Sequence, residues 1–118
     1  TLVDNVQTIA DKKVLIAQVA GIDGKAMRGL VDDMKSKLQD TIIVLVGEKG
    51  EQLALAASVS KSLTGDIKAG DIIRHLATEL GGKGGGKPDY AQGGAPNSDK
   101  LEAVMAQLPN WLEGQLSQ

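Results

Sequence analysis

The sequence contains no cysteine and only one histidine, His75. Without cysteine the chain forms no disulfide, offers no thiolate nucleophile and builds no cysteine-ligated zinc site. A single histidine argues against an all-protein zinc centre as well, since such centres combine several nitrogen and sulfur ligands. The lack of disulfides agrees with a reducing compartment, so we expect a cytoplasmic protein.

Long apolar runs and an excess of positive charge are also missing. No stretch approaches the roughly 18 to 20 apolar residues that cross a bilayer, and residues 1–10 lack an export pattern, so we expect no membrane partner. The 13 Lys+Arg face 15 Asp+Glu, which gives a formal net charge of −2. The chain is therefore not a globally basic nucleic-acid binder, and an anionic partner would have to meet a local patch.

The length of 118 residues is typical of one domain, covering 1–118, with a core of its own. The start at Thr1 instead of methionine predicts a domain excised from a larger protein, with residues 1–12 as a remnant of the upstream connection. Two interpretations of Val6 to Ile9 stay open. The segment is either an edge strand or the end of a helix from an upstream domain.

Hydrophobic patterns along the first half of the chain predict an α/β fold. Residues 14–19 are short and β-branched like a strand, and residues 41–46 lack alternation, as a strand covered on both faces does. Between them Asp23 can cap a helix whose apolar stripe is Met27, Leu30, Val31, Met34 and Leu38. This order of elements predicts a right-handed β-α-β crossover between parallel strands.

The second half adds to a mixed sheet and brings the number of helices to about three. Residues 53–60 alternate like a hairpin strand, and residues 69–80 have helical spacing with Gly81 as a C-terminal cap. A last helix follows Asp99, which forms a capping-box-like pair with Glu102, and Pro109 is expected to kink or split it. Between the last two helices lies a predicted glycine-rich loop.

Seven of the 15 glycines fall within residues 81–94, together with Lys83 and Lys87. Glycines let main-chain N–H groups come close to a ligand, and two ammonium groups add charge where anionic oxygens would sit, so phosphate is the expected ligand. A nucleotide P-loop is rejected because Pro88 follows the G-x-x-x-x-G-K pattern and a helix precedes it. No G-x-G-x-x-G spacing for a dinucleotide occurs in the segment.

No catalytic constellation emerges from the remaining polar residues. A serine, His75 and Asp71 could be combined into a triad on paper, but no pattern places them together. The adjacent acids Asp32 and Asp33 diverge by about 100° on a helix and do not form a carboxylate pair. We expect no active site and no cofactor in this chain.

Several segments together resemble the C-terminal domain of bacterial alanyl-tRNA synthetases. The most specific is Gly81-Gly82-Lys83-Gly84-Gly85-Gly86-Lys87-Pro88-Asp89 followed by Ala91-Gln92-Gly93-Gly94. Further similar segments are residues 30–35, 41–45, 58–61 and 68–70, so the resemblance covers nearly the whole chain. Lys87 stands where arginine is frequent in the family and Tyr90 where methionine is frequent. Lysine binds phosphate as a point charge, without arginine's planar fork.

The resemblance implies a non-catalytic domain that holds the elbow of tRNA(Ala) and cooperates with upstream aminoacylation and editing domains. It also implies a fold similar to the substrate-binding domain of DHH phosphoesterases. ATP, magnesium and zinc would belong to the parent enzyme, an alanine-tRNA ligase, and not to this part of it. The helical segment through which bacterial members dimerise precedes this domain, so we expect a monomer or weak dimer.

The residues that the resemblance marks for RNA binding each carry a second interpretation. Lys83 and Lys87 contact the RNA backbone or are solvated charges, and Gly84, Gly85 and Gly86 permit close approach or only turn geometry. Tyr90 stacks on a base or packs against the loop, Gln92 bonds RNA or fixes the loop, and Arg74 is a supplementary contact. Trp111 is not among these residues and is expected to be a core or interface anchor.

Two other functions remain open. One is the substrate-binding domain of a DHH-type phosphoesterase acting on short nucleic acids. Those enzymes tend to have histidine directly after the glycine triplet, where this chain has Lys87. The other is a protein-interaction module. The continuation Pro88-Asp89-Tyr90-Ala91-Gln92-Gly93 favours the synthetase.

Overall fold

One six-stranded mixed sheet with helices on both faces forms the fold. The computed structural model describes residues 5–117. In chain order the elements are β1 (Val6–Ile9), β2 (Lys12–Ala20), α1 (Gly24–Lys37), β3 (Thr41–Lys49), β4 (Gln52–Val59), a short 3-10 turn (Lys61–Leu63), α2 (Ala69–Leu80), β5 (Lys83–Gly86), β6 (Tyr90–Pro96) and α3 (Lys100–Leu116). Within 5–117 every helix falls short of the length or hydropathy that a bilayer-spanning helix needs.

The strands lie in the order β1-β2-β3-β4-β6-β5. Strands β2 and β3 are parallel and joined by α1, as the β-α-β pattern predicts, while the other neighbours are antiparallel. Val6 to Ile9 is an edge strand, which decides between its two interpretations. The glycine-containing strand β5 forms the opposite edge.

The two faces of the sheet are covered by different helices. Helix α1 packs on one face, where Met27, Val31 and Met34 meet Leu15 and Leu45. Helices α2 and α3 pack on the other face with the larger part of the core. Strand β3 is buried on both faces because it runs through the centre, which explains its continuous apolar run.

The helix ends that the sequence predicts at Asp23 and Gly81 are confirmed. The Asp23 carboxylate accepts a hydrogen bond from the Ala26 N–H at 3.0 Å, and this bond holds the pKa of Asp23 below its ordinary value. Gly81 ends α2 in the left-handed region at φ 81°, and its N–H donates to the Ala77 carbonyl. The αL turn redirects the chain from α2 into β5.

Two local expectations are wrong, and a third is wrong in part. The predicted glycine-rich loop is a β-hairpin, because its backbone pairs with β4 and packs on α2. Pro109 does not split α3, since the fully buried Leu108 and Leu112 anchor the helix on both sides of it. Asp99 makes no side-chain capping bond. The Ser98 hydroxyl accepts from the Lys100 N–H at 3.3 Å instead.

His75 on α2 stacks flat against Trp111 on α3. The ring centroids are 4.1 Å apart and the planes differ by 8°. Desolvation by this packing lowers the pKa of His75 below its ordinary value, opposed by the charge of Glu79. The stack joins the two helices on this face of the sheet and gives Trp111 its role as an anchor.

Acidification is expected to destabilise the domain through His75. The unfolded chain takes up this proton at a higher pH than the folded chain does, so the free energy of unfolding falls as the pH drops below about 6.5. His75→Phe keeps a flat ring on Trp111 and removes the titration. From about pH 7.5 to pH 5.5 the variant should therefore lose less stability than the wild type in urea titrations followed by Trp111 fluorescence. An equal loss would contradict the assignment.

Candidate nucleic-acid interface

The glycine segment forms the β5–β6 hairpin, whose residues alternate between the two faces of the sheet. In the hairpin Lys83 pairs with Gly94, and Gly85 pairs with Gln92. Gly94 and Gln92 in turn pair with residues of β4 that face α1. These four hairpin residues therefore lie on the α1 side of the sheet. Gly84 and Gly86 point to the opposite face, toward α2. The glycines that look equivalent in the sequence are thus divided into two sets.

The α2-side glycines are required by packing. A Cβ on Gly84 would lie 2.6 Å from the Ile73 Cγ2 and 2.7 Å from the Gly93 Cα. A Cβ on Gly86 would lie 2.7 Å from the Ala91 Cα, and α2 itself approaches the Gly86 carbonyl closely at Gly70. Their absent side chains allow the hairpin to lie directly on the helix.

Gly85 has no such packing role. A Cβ built on it would meet nothing within 4 Å, so its α1-side surface is open. Of the three central glycines, this is the one that could hold a Cβ without a close contact. All three are at least partly exposed, Gly84 and Gly86 more so than Gly85.

Beside Gly85 lies a cleft of about 390 Å³ between the hairpin and α1. It brings together several of the residues marked by the sequence. The lining consists of Arg28, Lys35, Gly85, Gly86, Lys87, Asp89, Tyr90, Ala91 and Gln92. Three cations and one carboxylate therefore surround a floor that includes glycine backbone.

Three of the marked residues, Lys83, Gly84 and Arg74, lie outside this cleft. Lys83 is exposed at the other end of β5, on the same α1-side face and about 13 Å from Lys87 along the strand. Arg74 lies on α2 and pairs with Asp71 of the same helix. Lys83 can extend a charged track along the hairpin.

Arg28 and Lys35 line the cleft but were missed by the sequence analysis. Both lie off the apolar stripe of the first helix, where charged residues are ordinarily only solvated. They are seven residues apart, so they lie on one side of α1, about two turns or 10 Å from each other. Two basic residues at that spacing were the signal in the sequence that could have indicated a binding surface on α1. The hairpin that completes the cleft comes more than 45 residues later in the chain, so the sequence alone does not place it beside them.

The guanidinium of Arg28 lies over the ring of Tyr90. Its guanidinium carbon is 4.0 Å from the ring centroid, a cation–π contact, and its Nε is 3.6 Å from the Asp32 carboxylate. Burial raises the pKa of the Tyr90 phenol, partly offset by the charge of Arg28. Tyr90 thus packs against α1, and one face of its ring is already occupied.

Gln92 fixes the hairpin to α1. Its side-chain Nε2 donates to the Gly24 carbonyl at 2.9 Å, across 68 residues of sequence. This contact holds the cleft-lining strand β6 against the first turn of the helix. Of the two interpretations of Gln92, this contact matches the one in which its side chain fixes the glycine segment in place.

A larger cavity of about 1000 Å³ lies elsewhere, between β2 and the start of α3. Its charged lining residues are Glu48, Asp99 and Glu102, with no lysine or arginine among them. An acidic rim repels a polyanion. The smaller cleft beside Gly85 is therefore the candidate interface for nucleic acid, although it is not the largest cavity.

Comparison with known proteins defines the family. The model of the DHHA1 domain matches residues 11–114. The chain belongs to the DHHA1 domain family. Its relatives include the alanine–tRNA ligases of Psychrobacter sp. (strain PRwf-1), 87% identical over 99% of this chain, and of Psychrobacter cryohalolentis, 66% identical over 98%. The chain spans 13% of the length of each of these ligases.

Solved structures agree with this assignment. The C-Ala domain from Aquifex aeolicus alanyl-tRNA synthetase matches with a TM-score of 0.82 at 25% identity, covering 92% of this chain and 98% of that domain. A DHH-domain protein described as a member of the s1p family of ribosomal proteins, PF0399, matches with a TM-score of 0.59 at 16% identity, over 95% of this chain and 28% of that one. The second match shows the fold alone. The resemblance to the synthetase domain is confirmed, as is the α/β mixed-sheet fold.

Proposed function

We propose that this DHHA1 domain binds tRNA at the cleft between the β5–β6 hairpin and α1. The observation that carries the proposal is the convergence of Arg28, Lys35 and Lys87 around the open backbone of Gly85. The names of its close relatives, alanine–tRNA ligases, support tRNA as the polyanion.

The chemistry of the cleft suits a sugar-phosphate backbone. Lysine ammonium groups bind phosphate as point charges. Gly85 has no side chain on the cleft side, so a sugar-phosphate backbone can approach the main chain there. Lys83 prolongs the cationic track along β5. Contacts of this kind position an RNA without reading its sequence, so the shape of the folded molecule supplies most of the discrimination.

In the intact protein, the domain holds the elbow of tRNA(Ala) while other domains carry out the chemistry. Aminoacylation with ATP and magnesium and the zinc-dependent editing of mischarged tRNA belong to those domains, in a cytoplasmic alanine–tRNA ligase. This part of the proposal rests on the family resemblance and on the 13% of ligase length that the chain spans. As a separate chain the domain is a monomer or weak dimer that supplies binding and no catalysis.

Binding to folded tRNA, unfolded tRNA and duplex DNA at two salt concentrations tests the proposal. With three or four phosphate contacts, log K is expected to fall against log salt with a slope of about −2 to −4. Folded tRNA should bind more tightly than either control, measured by filter binding. Equal affinity for the three nucleic acids, or no binding, would contradict a tRNA-holding role.

A further inference from the structure

We infer that Arg28, supported by Tyr90, forms a stacking surface for one unpaired nucleobase of the bound RNA. This inference rests on the proposed function and adds a base-contacting residue to it. The neighbouring cations Lys35 and Lys87 hold the phosphates on either side of that base.

The orientation of Arg28 is set by two contacts. Its guanidinium carbon lies 4.0 Å over the Tyr90 ring centroid, and its Nε is 3.6 Å from the Asp32 carboxylate. The side chain is still 56% exposed, although one face is covered. Its outer face is therefore open to solvent, and planar guanidinium groups stack on nucleobases.

Tyr90 acts as the support and not as the stacking surface itself. Its ring packs against the apolar cluster under α1, and the guanidinium of Arg28 covers one face of the ring. Its buried hydroxyl oxygen has no hydrogen-bond partner within residues 5–117. The aromatic ring, and not the hydroxyl, is thus the part of Tyr90 that holds Arg28 in place.

The size and charge of the cleft suit a single nucleotide. Its volume of about 390 Å³ is near the lower end of the range of roughly 300 to 1,000 Å³ for small-ligand sites, too small for a duplex. Lys35 is about 10 Å along α1 from Arg28, and Lys87 lies on the facing hairpin turn. The carboxylate of Asp89 also lines the cleft and limits how many phosphates can enter it.

Arg28→Lys is the most informative variant because it keeps the charge and removes the plane. We expect it to bind folded tRNA about tenfold more weakly, since base stacking contributes substantially per base. The salt slope should stay unchanged, since the number of cations is the same. Affinity for a fully paired RNA duplex should not change, because a duplex offers no unpaired base to the cleft.

The supporting role of Tyr90 is tested separately. Tyr90→Phe keeps the ring and should bind tRNA as the wild type does, while Tyr90→Leu should lose affinity to the same degree as Arg28→Lys. Thermal unfolding of each variant checks that the domain is folded. Tyr90 is the only tyrosine of the chain, so its ring resonances in NMR spectra should shift when a short single-stranded RNA is added to the wild type.

The outcomes separate this inference from the proposed function. If Arg28→Lys binds tRNA as tightly as the wild type, the stacking surface is overturned while tRNA binding stands. If the variant binds a fully paired RNA duplex more weakly by the same factor as tRNA, Arg28 is a phosphate contact and the stacking is again overturned. If the wild type binds no tRNA, both proposals fail.

Discussion

Gly84→Ala is expected to lower the free energy of unfolding by about 1 to 3 kcal/mol, because the added methyl group overlaps neighbouring atoms. The added Cβ would lie 2.6 Å from the Ile73 Cγ2 and 2.7 Å from the Gly93 Cα. The second neighbour is backbone of the paired strand and cannot rotate away. Relief therefore requires the hairpin to move off α2. Urea titration gives the free energy, and the melting temperature should fall by several degrees.

Gly85→Ala is the matched control for this change. Gly85 is the next residue of the same strand, and a Cβ there meets nothing within 4 Å. Its free energy of unfolding should change by less than about 0.5 kcal/mol, as an unobstructed surface substitution does. The same variant should weaken tRNA binding, because a methyl group keeps the phosphates away from the main chain. Equal destabilisation at both positions would refute the division of the glycines into two sets.

Lys83→Ala combined with Lys87→Ala is expected to weaken tRNA binding about tenfold or more near 0.1 M salt and to leave thermal unfolding nearly unchanged. Both side chains are exposed and make no ion pair within residues 5–117. Removing two phosphate contacts should make the salt slope less negative by roughly 1.5 to 2. Filter binding over a salt series measures both quantities.

Lys13→Ala combined with Lys100→Ala provides the charge-matched control. These two lysines are also exposed, and neither lines the cleft beside Gly85. The control changes the net charge by the same amount, so it isolates position from total charge. A similar loss of affinity in both double variants would mean that the tRNA senses the overall charge and not the hairpin.

Much of the fold follows from local patterns in the sequence. The crossover β2-α1-β3 was predictable because strand-like apolar runs flank a segment with helical apolar spacing. Asp23 marks the point where the helix begins. Gly81 likewise predicts the end of α2, because the residue that ends this helix has a left-handed conformation that glycine adopts easily. These features depend on neighbours within a few residues, and the pattern around each of them is unambiguous.

The features that the sequence did not reveal depend on contacts between distant segments. Glycine has little strand propensity, so residues 83–86 predict a loop, and only pairing with β6 and packing on α2 make them a strand. Arg28 and Lys35 belong to the cleft only because the hairpin lies beside α1. Pro109 predicts a break that the burial of Leu108 and Leu112 prevents.

The alternation of β5 also fixes the number of residues in the glycine run. A single insertion or deletion between Gly82 and Gly86 would exchange inward and outward positions along the strand. Lys83 would then face Ile73 of α2. A glycine that now packs on α2 would instead face the cleft. A change of length within the strand should therefore both destabilise the hairpin and remove the cleft surface.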